Sequence, residues 1–337
     1  MTTLDTSPPP TRSGPPVPIR IRTKRNPLDR AFRGTVSFTG FLSFVVLALI
    51  GLFLLIKAWP ALHYMGFRFF TTTGFDTNSV KGLPAKFGVA AALYGSIVVA
   101  VIAIVIAVPV SICAALFANE YAPRTLFGVV PLRSFLISTI DLMAAVPSII
   151  YGLWGFYVLS PPLANISKWM SVHVGFVPFF HIPKGVAVFN NSYFIAGTLV
   201  GIMIMPIVTS ITREMFSLTP QSEREGALAL GATRARVIRD VVLPFAKGGM
   251  IGAVMLGMGR ALGEAVAVSI ILSLVFGVSL QVLHQGGLSI AALIAARFGS
   301  GGTYGVSALL ACGLVLFFFT LIINTIASII VSRSRAA

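Results

Sequence analysis

The sequence predicts an all-α integral membrane protein with six transmembrane helices, and three observations carry that expectation. Hydrophobic residues make up 56% of the 337 and charged residues only 10%, with a mean hydropathy of +0.92, far above that of a soluble globular chain. Apolar stretches at 36–58, 91–118, 134–158, 193–212, 248–276 and 304–331 are each long enough to cross about 30 Å of hydrocarbon as a helix. The basic residues gather in alternate connections, as the positive-inside rule requires of a polytopic protein.

The first 35 residues hold seven prolines and seven basic residues without an apolar run, so 1–35 reads as a disordered basic tail. The first apolar stretch is too long for a cleaved signal peptide and is expected to remain as a span. Lys57 and Trp59 at its far end read as a snorkelling anchor with an aromatic companion. Residues 36–337 are then expected to form one six-span transmembrane domain that includes a cytosolic loop, 214–246. Two shorter apolar stretches, Val172 to Phe180 and Leu288 to Ala296, cannot span and are expected outside as interfacial or re-entrant elements.

Six spans put both termini on one side. With that side cytosolic, 17 of the 25 Lys and Arg are cytosolic, seven are external, and Arg260 lies inside a span. This asymmetry accounts for a net charge of +15 without nucleic acid as a partner; the basic tail reads as a topology determinant, with binding to anionic membrane lipid as the alternative. Cys113 and Cys312 lie in apolar stretches and read as packing residues, and the four histidines have no metal-ligand spacing. No Lys is followed by Ser or Thr, so the Gly-rich phosphate loop of an ATPase is absent, and any ATP-derived energy comes from another chain.

Three places carry unusual polarity. The loop 214–246 reads as a helical hairpin: Thr219 is the expected N-cap and Pro220 the first helical residue, and Glu223 and Glu225 sit where the helix dipole favours negative charge. Gly231 suits a left-handed helix end, and Thr233 caps a second helix expected to reach Leu243. Ala227, Leu228 and Leu230 give the first helix an apolar patch suited to a partner's groove. In the fifth span, Arg260 and Glu264 are spaced to share a helix face and pair near mid-membrane. Asp141 in the third span reads as a partner for Arg260, an inner-gate residue or a hydrated interfacial carboxylate. Pro109, Pro147 and Pro206 are candidate kinks.

Glu225, Gly226, Ala227, Gly231, Val241, Leu243 and Pro244 resemble the Glu-Ala-Ala loop of binding-protein-dependent ABC importer permeases. Gly226 replaces the first Ala and Val241 replaces an Ile. Asn119-Glu-Tyr-Ala-Pro123, Ala145-Val-Pro-Ser-Ile-Ile-Tyr-Gly152 and Gly259-Arg-Ala-Leu-Gly-Glu264 extend the resemblance to the permeases of the Pst phosphate importers. The external segment with Gly66-Phe-Arg-Phe-Phe70 and Phe87-Gly88 resembles the C-type branch of that family.

The resemblance implies a MetI-like bundle of the type I importers, with the loop docking on an ATP-binding subunit that holds ATP and Mg. This chain itself carries no cofactor and no catalytic residue. It also implies a second permease subunit of the PstA type, a PstB-like ATPase dimer and a PstS-like extracytoplasmic phosphate-binding protein as partners. Arg260 and Glu264 would then line the translocation path, the guanidinium offering a planar fork to the oxyanion. Sulfate or molybdate permeases share the loop and are the alternatives within the class. An ion-driven secondary transporter is the alternative outside it, and a membrane sensor of phosphate is a third.

Overall fold

The computed structural model describes residues 27–78, 84–123, 132–182, 188–299, 302 and 304–336. Its helices are α1 (Pro27–Met65), α2 (Arg68–Thr71), α3 (Ala90–Leu116), α4 (Leu132–Ala145), α5 (Ser148–Trp154), α6 (Ser160–His173) and α7 (Tyr193–Ser217). They continue with α8 (Gln221–Ala229), α9 (Arg234–Val237), α10 (Leu243–Gly263), α11 (Val266–Ile271), α12 (Ile290–Arg297) and α13 (Gly305–Ala336). One antiparallel ribbon pairs β1 (Phe75–Asp76) with β2 (Lys86–Phe87). Wide π turns at Phe117–Tyr121, Gly155–Leu159 and Ile238–Val242 extend α3, join α5 to α6 and join α9 to α10.

The first half of α1, to Ile50, forms one compact unit, in which Thr35, Thr39 and Ser43 each donate to the carbonyl four residues back. The second unit starts at Gly51 and holds everything else. Among the described residues, six helical runs are long and apolar enough to cross a membrane: Ala31–Met65, Ala90–Tyr121, Ser148–His173, Tyr193–Ser217, Arg234–Gly263 and Gly305–Ser332. This is a multi-pass membrane protein.

The centre of the second unit is α7, whose span is 67% buried. It packs on α3 through small residues: Gly197 faces Ile102, and a Cβ on Gly201 would lie 3.0 Å from the Ala103 carbonyl oxygen. Close backbone approach of this kind replaces the hydrophobic drive that lipid cannot supply between helices. Ser111 Oγ donates to the Met205 carbonyl at 3.1 Å across the same pair, one residue before Pro206. Pro109 and Pro206 lie inside uninterrupted helices.

Away from the centre, the structure departs from the expected spans in three places. Pro27 to Thr35 belong to the first turns of α1, so the expected tail is shorter by nine residues, and 1–26 lie outside the described residues. The third apolar stretch is two helices, because Pro147 has no N–H to donate and disfavours helical geometry at Val146. The membrane-length helix restarts at Ser148 and runs to His173, taking in the beginning of the stretch expected outside. The fifth stretch is likewise interrupted, between α10 and α11.

The second short stretch, Leu288 to Ala296, forms α12 and is buried against α3. Ser96 Oγ accepts from Ile290 N at 2.9 Å, and Tyr193 Oη accepts from Leu288 N at 3.2 Å. Gly95 is required beneath this crossing, since a Cβ there would overlap the Leu288 carbonyl. Backbone donors at the start of this short buried segment are thus satisfied by protein side chains.

Candidate functional site

The 214–246 segment forms the expected hairpin with different ends. Pro220 itself occupies the N-cap of α8, and Thr219, the expected cap, is buried with its hydroxyl unpartnered among the described residues. Glu223 lies in the first turn, and Glu225 accepts from Gln221 Nε2 at 3.1 Å. Gly231 adopts φ +83°, a conformation costly for any residue with a Cβ, and its N–H donates to the Leu228 carbonyl. Thr233 caps α9 by accepting from Arg236 N at 3.4 Å.

Ala227 packs on the small core of Phe216, Val237 and Val242, whereas Leu228 and Leu230 point outward, Leu230 being 91% exposed. Gly226 is also on the exposed side, with open space where a Cβ would be. Leu243 and Pro244, expected to end the hairpin, instead form the first turn of α10. Proline is tolerated at that position. From Arg234 to Gly263 the chain is one helical run, so the second arm of the hairpin is the start of the fifth span.

An unforeseen ion pair fastens α8 to the bundle. Arg224 Nη1 meets Glu120 Oε1 at 2.7 Å, with the two side chains 15% and 17% exposed, and Arg224 Nη2 donates to the Phe216 carbonyl at 2.6 Å. Asn119 Nδ2 donates to the same Glu120 oxygen, and Arg133 Nη2 donates to Asn119 Oδ1. The carboxylate closing the second span, in the Asn119-Glu-Tyr motif, was the available sequence signal, but its partner lies 104 residues away.

Arg260 stands on the wall of an open groove of about 730 Å³ lined also by Ile207, Gly252, Met255, Leu256, Gly259 and Asn324. The expected Arg260–Glu264 pair does not form: the ion pairs among the described residues are Arg224–Glu120 and Arg236–Asp240. The i,i+4 geometry is lost because α10 ends at Gly263 and Glu264 turns to an extended conformation, ψ 116°. Glu264 is 9% exposed, and its Oε1 accepts from Ala267 N at 3.1 Å, satisfying a backbone donor at the start of α11.

Asp141 on α4 accepts from Ser210 Oγ of α7 at 2.8 Å and makes no ion pair with Arg260. The groove therefore brings Arg260 together with Asn324, a polar residue in the last span that sequence reading passed over, and leaves Glu264 and Asp141 off its lining. No group of three or more His, Cys, Asp or Glu among the described residues could hold a metal.

A glycine-packed bundle of six membrane-length helical runs, one of them continuous with a capped hairpin, defines a multi-pass membrane protein. Residues 112–336 match the family described as binding-protein-dependent transport system inner membrane component. The chain is 38% identical over 303 residues to the phosphate transport system permease protein PstC 2 of Mycobacterium tuberculosis, covering 89% of this chain and 90% of that one. It is 38% identical over 300 residues to the probable phosphate transport system permease protein PstC of Methanocaldococcus jannaschii, covering 88% and 91%. It is 33% identical over 317 residues to the PstC of Haemophilus influenzae, covering 91% and 94%.

Among solved structures, a bacterial ABC transporter involved in the import of the acidic polysaccharide alginate shares the fold, with a TM-score of 0.52 over 90% of this chain and 99% of that one at 17% identity. The chain belongs to the binding-protein-dependent transport system inner membrane components, in their PstC branch.

Proposed function

We propose that this chain is the permease subunit of an ATP-binding-cassette importer that carries inorganic phosphate into the cytoplasm by alternating access. The observation that carries the reading is Arg260, a cation without an ion-pair partner among the described residues, facing an open groove whose other lining residues are apolar except Asn324. A charge at that depth is costly and has to be offset by water or an anion. A guanidinium fork matches two oxygens of a phosphate oxyanion. Names of the PstC relatives supply the choice of phosphate over sulfate or molybdate.

In this reading both termini are cytosolic, which the excess of Lys and Arg on that side supports. The exposed Leu228 and Leu230, with Glu225 and Gly226, dock in a cleft of a PstB-like ATPase dimer that binds ATP and Mg, while Ala227 seats the helix on the core beneath it. Gly231 sets the turn, and Leu243 and Pro244 lead the motion into the fifth span. A PstA-like second permease completes the path, and a PstS-like extracytoplasmic protein delivers phosphate. Arg260 contacts the passing anion, Glu264 holds the backbone break beneath it, and Asp141 acts at the inner end of the path through Ser210.

Radiolabelled phosphate uptake into vesicles containing this chain and those partners tests the proposal. ATP-dependent accumulation that excess sulfate or molybdate leaves unchanged is the expected result. Uptake driven by an ion gradient without the ATPase overturns it, as does ATP hydrolysis without flux.

A further inference from the structure

We infer that the Arg224–Glu120 ion pair is the tie through which α8 moves α3 and α7, and that it sets how much transport each ATP hydrolysed produces. The inference rests on the reading that α8 docks on an ATPase.

Helix α8 is short, polar and largely exposed, and its side chains hold it to the rest of the molecule at few points. Ala227 packs on the small core below it, and the Gln221–Glu225 bond stays within the helix. Among the polar side chains of α8, Arg224 reaches two spans at once. One of its terminal nitrogens meets Glu120 in the π turn that ends α3, and the other meets the Phe216 carbonyl in the last turn of α7. Those spans are locked together by Gly197, Gly201 and the Ser111–Met205 bond, so a force applied at either end is applied to both.

On its other side α8 continues through the Gly231 turn into the unbroken run of α9 and α10, which carries Arg260. One helix therefore stands between two bodies. It is joined by the chain to α7, through Leu218 to Pro220, and to α10, through the Gly231 turn, and the Arg224 guanidinium adds the tie to α3 and braces the end of α7. The near-burial of both charges removes competing water, so the bond is directional and short. Asn119 and Arg133 carry the same network on to the start of α4. A buried ion pair adds little net stability compared with an apolar pair of the same volume, but its fork fixes an orientation.

The test uses the assembled complex in lipid vesicles with Glu120→Gln and Arg224→Lys. In both variants, ATP hydrolysis is expected to stay within about twofold of the parent while phosphate taken up per ATP falls about tenfold. Unchanged uptake per ATP in Glu120→Gln overturns the inference.

A second readout needs no substrate. With Cys312→Ser, spin labels at exposed Cys113 of α3 and at Ser222→Cys of α8 report their separation with and without ATP. The separation is expected to stay constant in the parent complex and to change with nucleotide in Glu120→Gln. A separation that changes in the parent complex refutes the tie. A parent complex that keeps the separation constant yet moves no phosphate refutes the transport reading and leaves the tie standing.

Discussion

Two arginine–carboxylate combinations behave in opposite ways in this molecule. Arg260 and Glu264 are four residues apart on an apolar stretch and do not pair, while Arg224 and Glu120 are far apart in sequence and meet at 2.7 Å. The first combination depended on a helix continuing past Gly263. Glu264 instead satisfies the backbone at the start of α11, which leaves the Arg260 charge for the groove. The second is created where two spans end side by side, with both side chains nearly buried so that a charge without a partner is costly. The difference teaches that proximity in sequence supplies an ion pair only while the secondary structure between the partners is intact.

The sharpest way to break the comparison is Arg260→Gln. Uptake by the reconstituted complex is expected to fall about 100-fold, the ~2.7 kcal/mol of a lost charge-assisted hydrogen bond to the passing anion, with assembly unchanged. Full flux in that variant returns Arg260 to a structural role. Glu264→Ala acts differently, because it orphans the Ala267 N–H. A loss of about 1–2 kcal/mol in the unfolding of the solubilised subunit is expected, as for other helix-cap deletions.

Gly231→Ala should cost about 1 kcal/mol by the same unfolding measurement, since φ +83° disfavours a Cβ even where space is open. The smallest effect is the most discriminating. A double-mutant cycle between Arg260→Gln and Glu264→Gln should give a coupling below about 0.5 kcal/mol, and a value near 2 kcal/mol would restore the pair that sequence spacing suggests.

Much of the loop end was legible. Gly231 and Thr233 announce their backbone roles because a left-handed glycine and a capping hydroxyl act within a turn of themselves. Thr219 misled for the same reason: Pro220 takes the cap position, so the threonine is buried one residue outside the helix. The interruption at Pro147 was signalled by the residue but read as a kink, since proline alone does not distinguish a bend from a break. Nothing local marked the end of α10 except Gly263, and glycine is common within transmembrane helices.

By itself the sequence determined that the chain lives in a membrane, how many times it is apolar enough to cross, and that a polar hairpin interrupts the series. Each of these follows from composition or from interactions reaching no further than one helical turn. Only the tertiary structure decided that α7 is central, that the second arm of the hairpin and the fifth span are one helical run, that Glu120 holds Arg224, and that Arg260 faces a groove beside Asn324. Those outcomes depend on which small residues let which backbones approach and on where a buried polar group finds its partner. Both are properties of the packed assembly of helices, which no single segment contains.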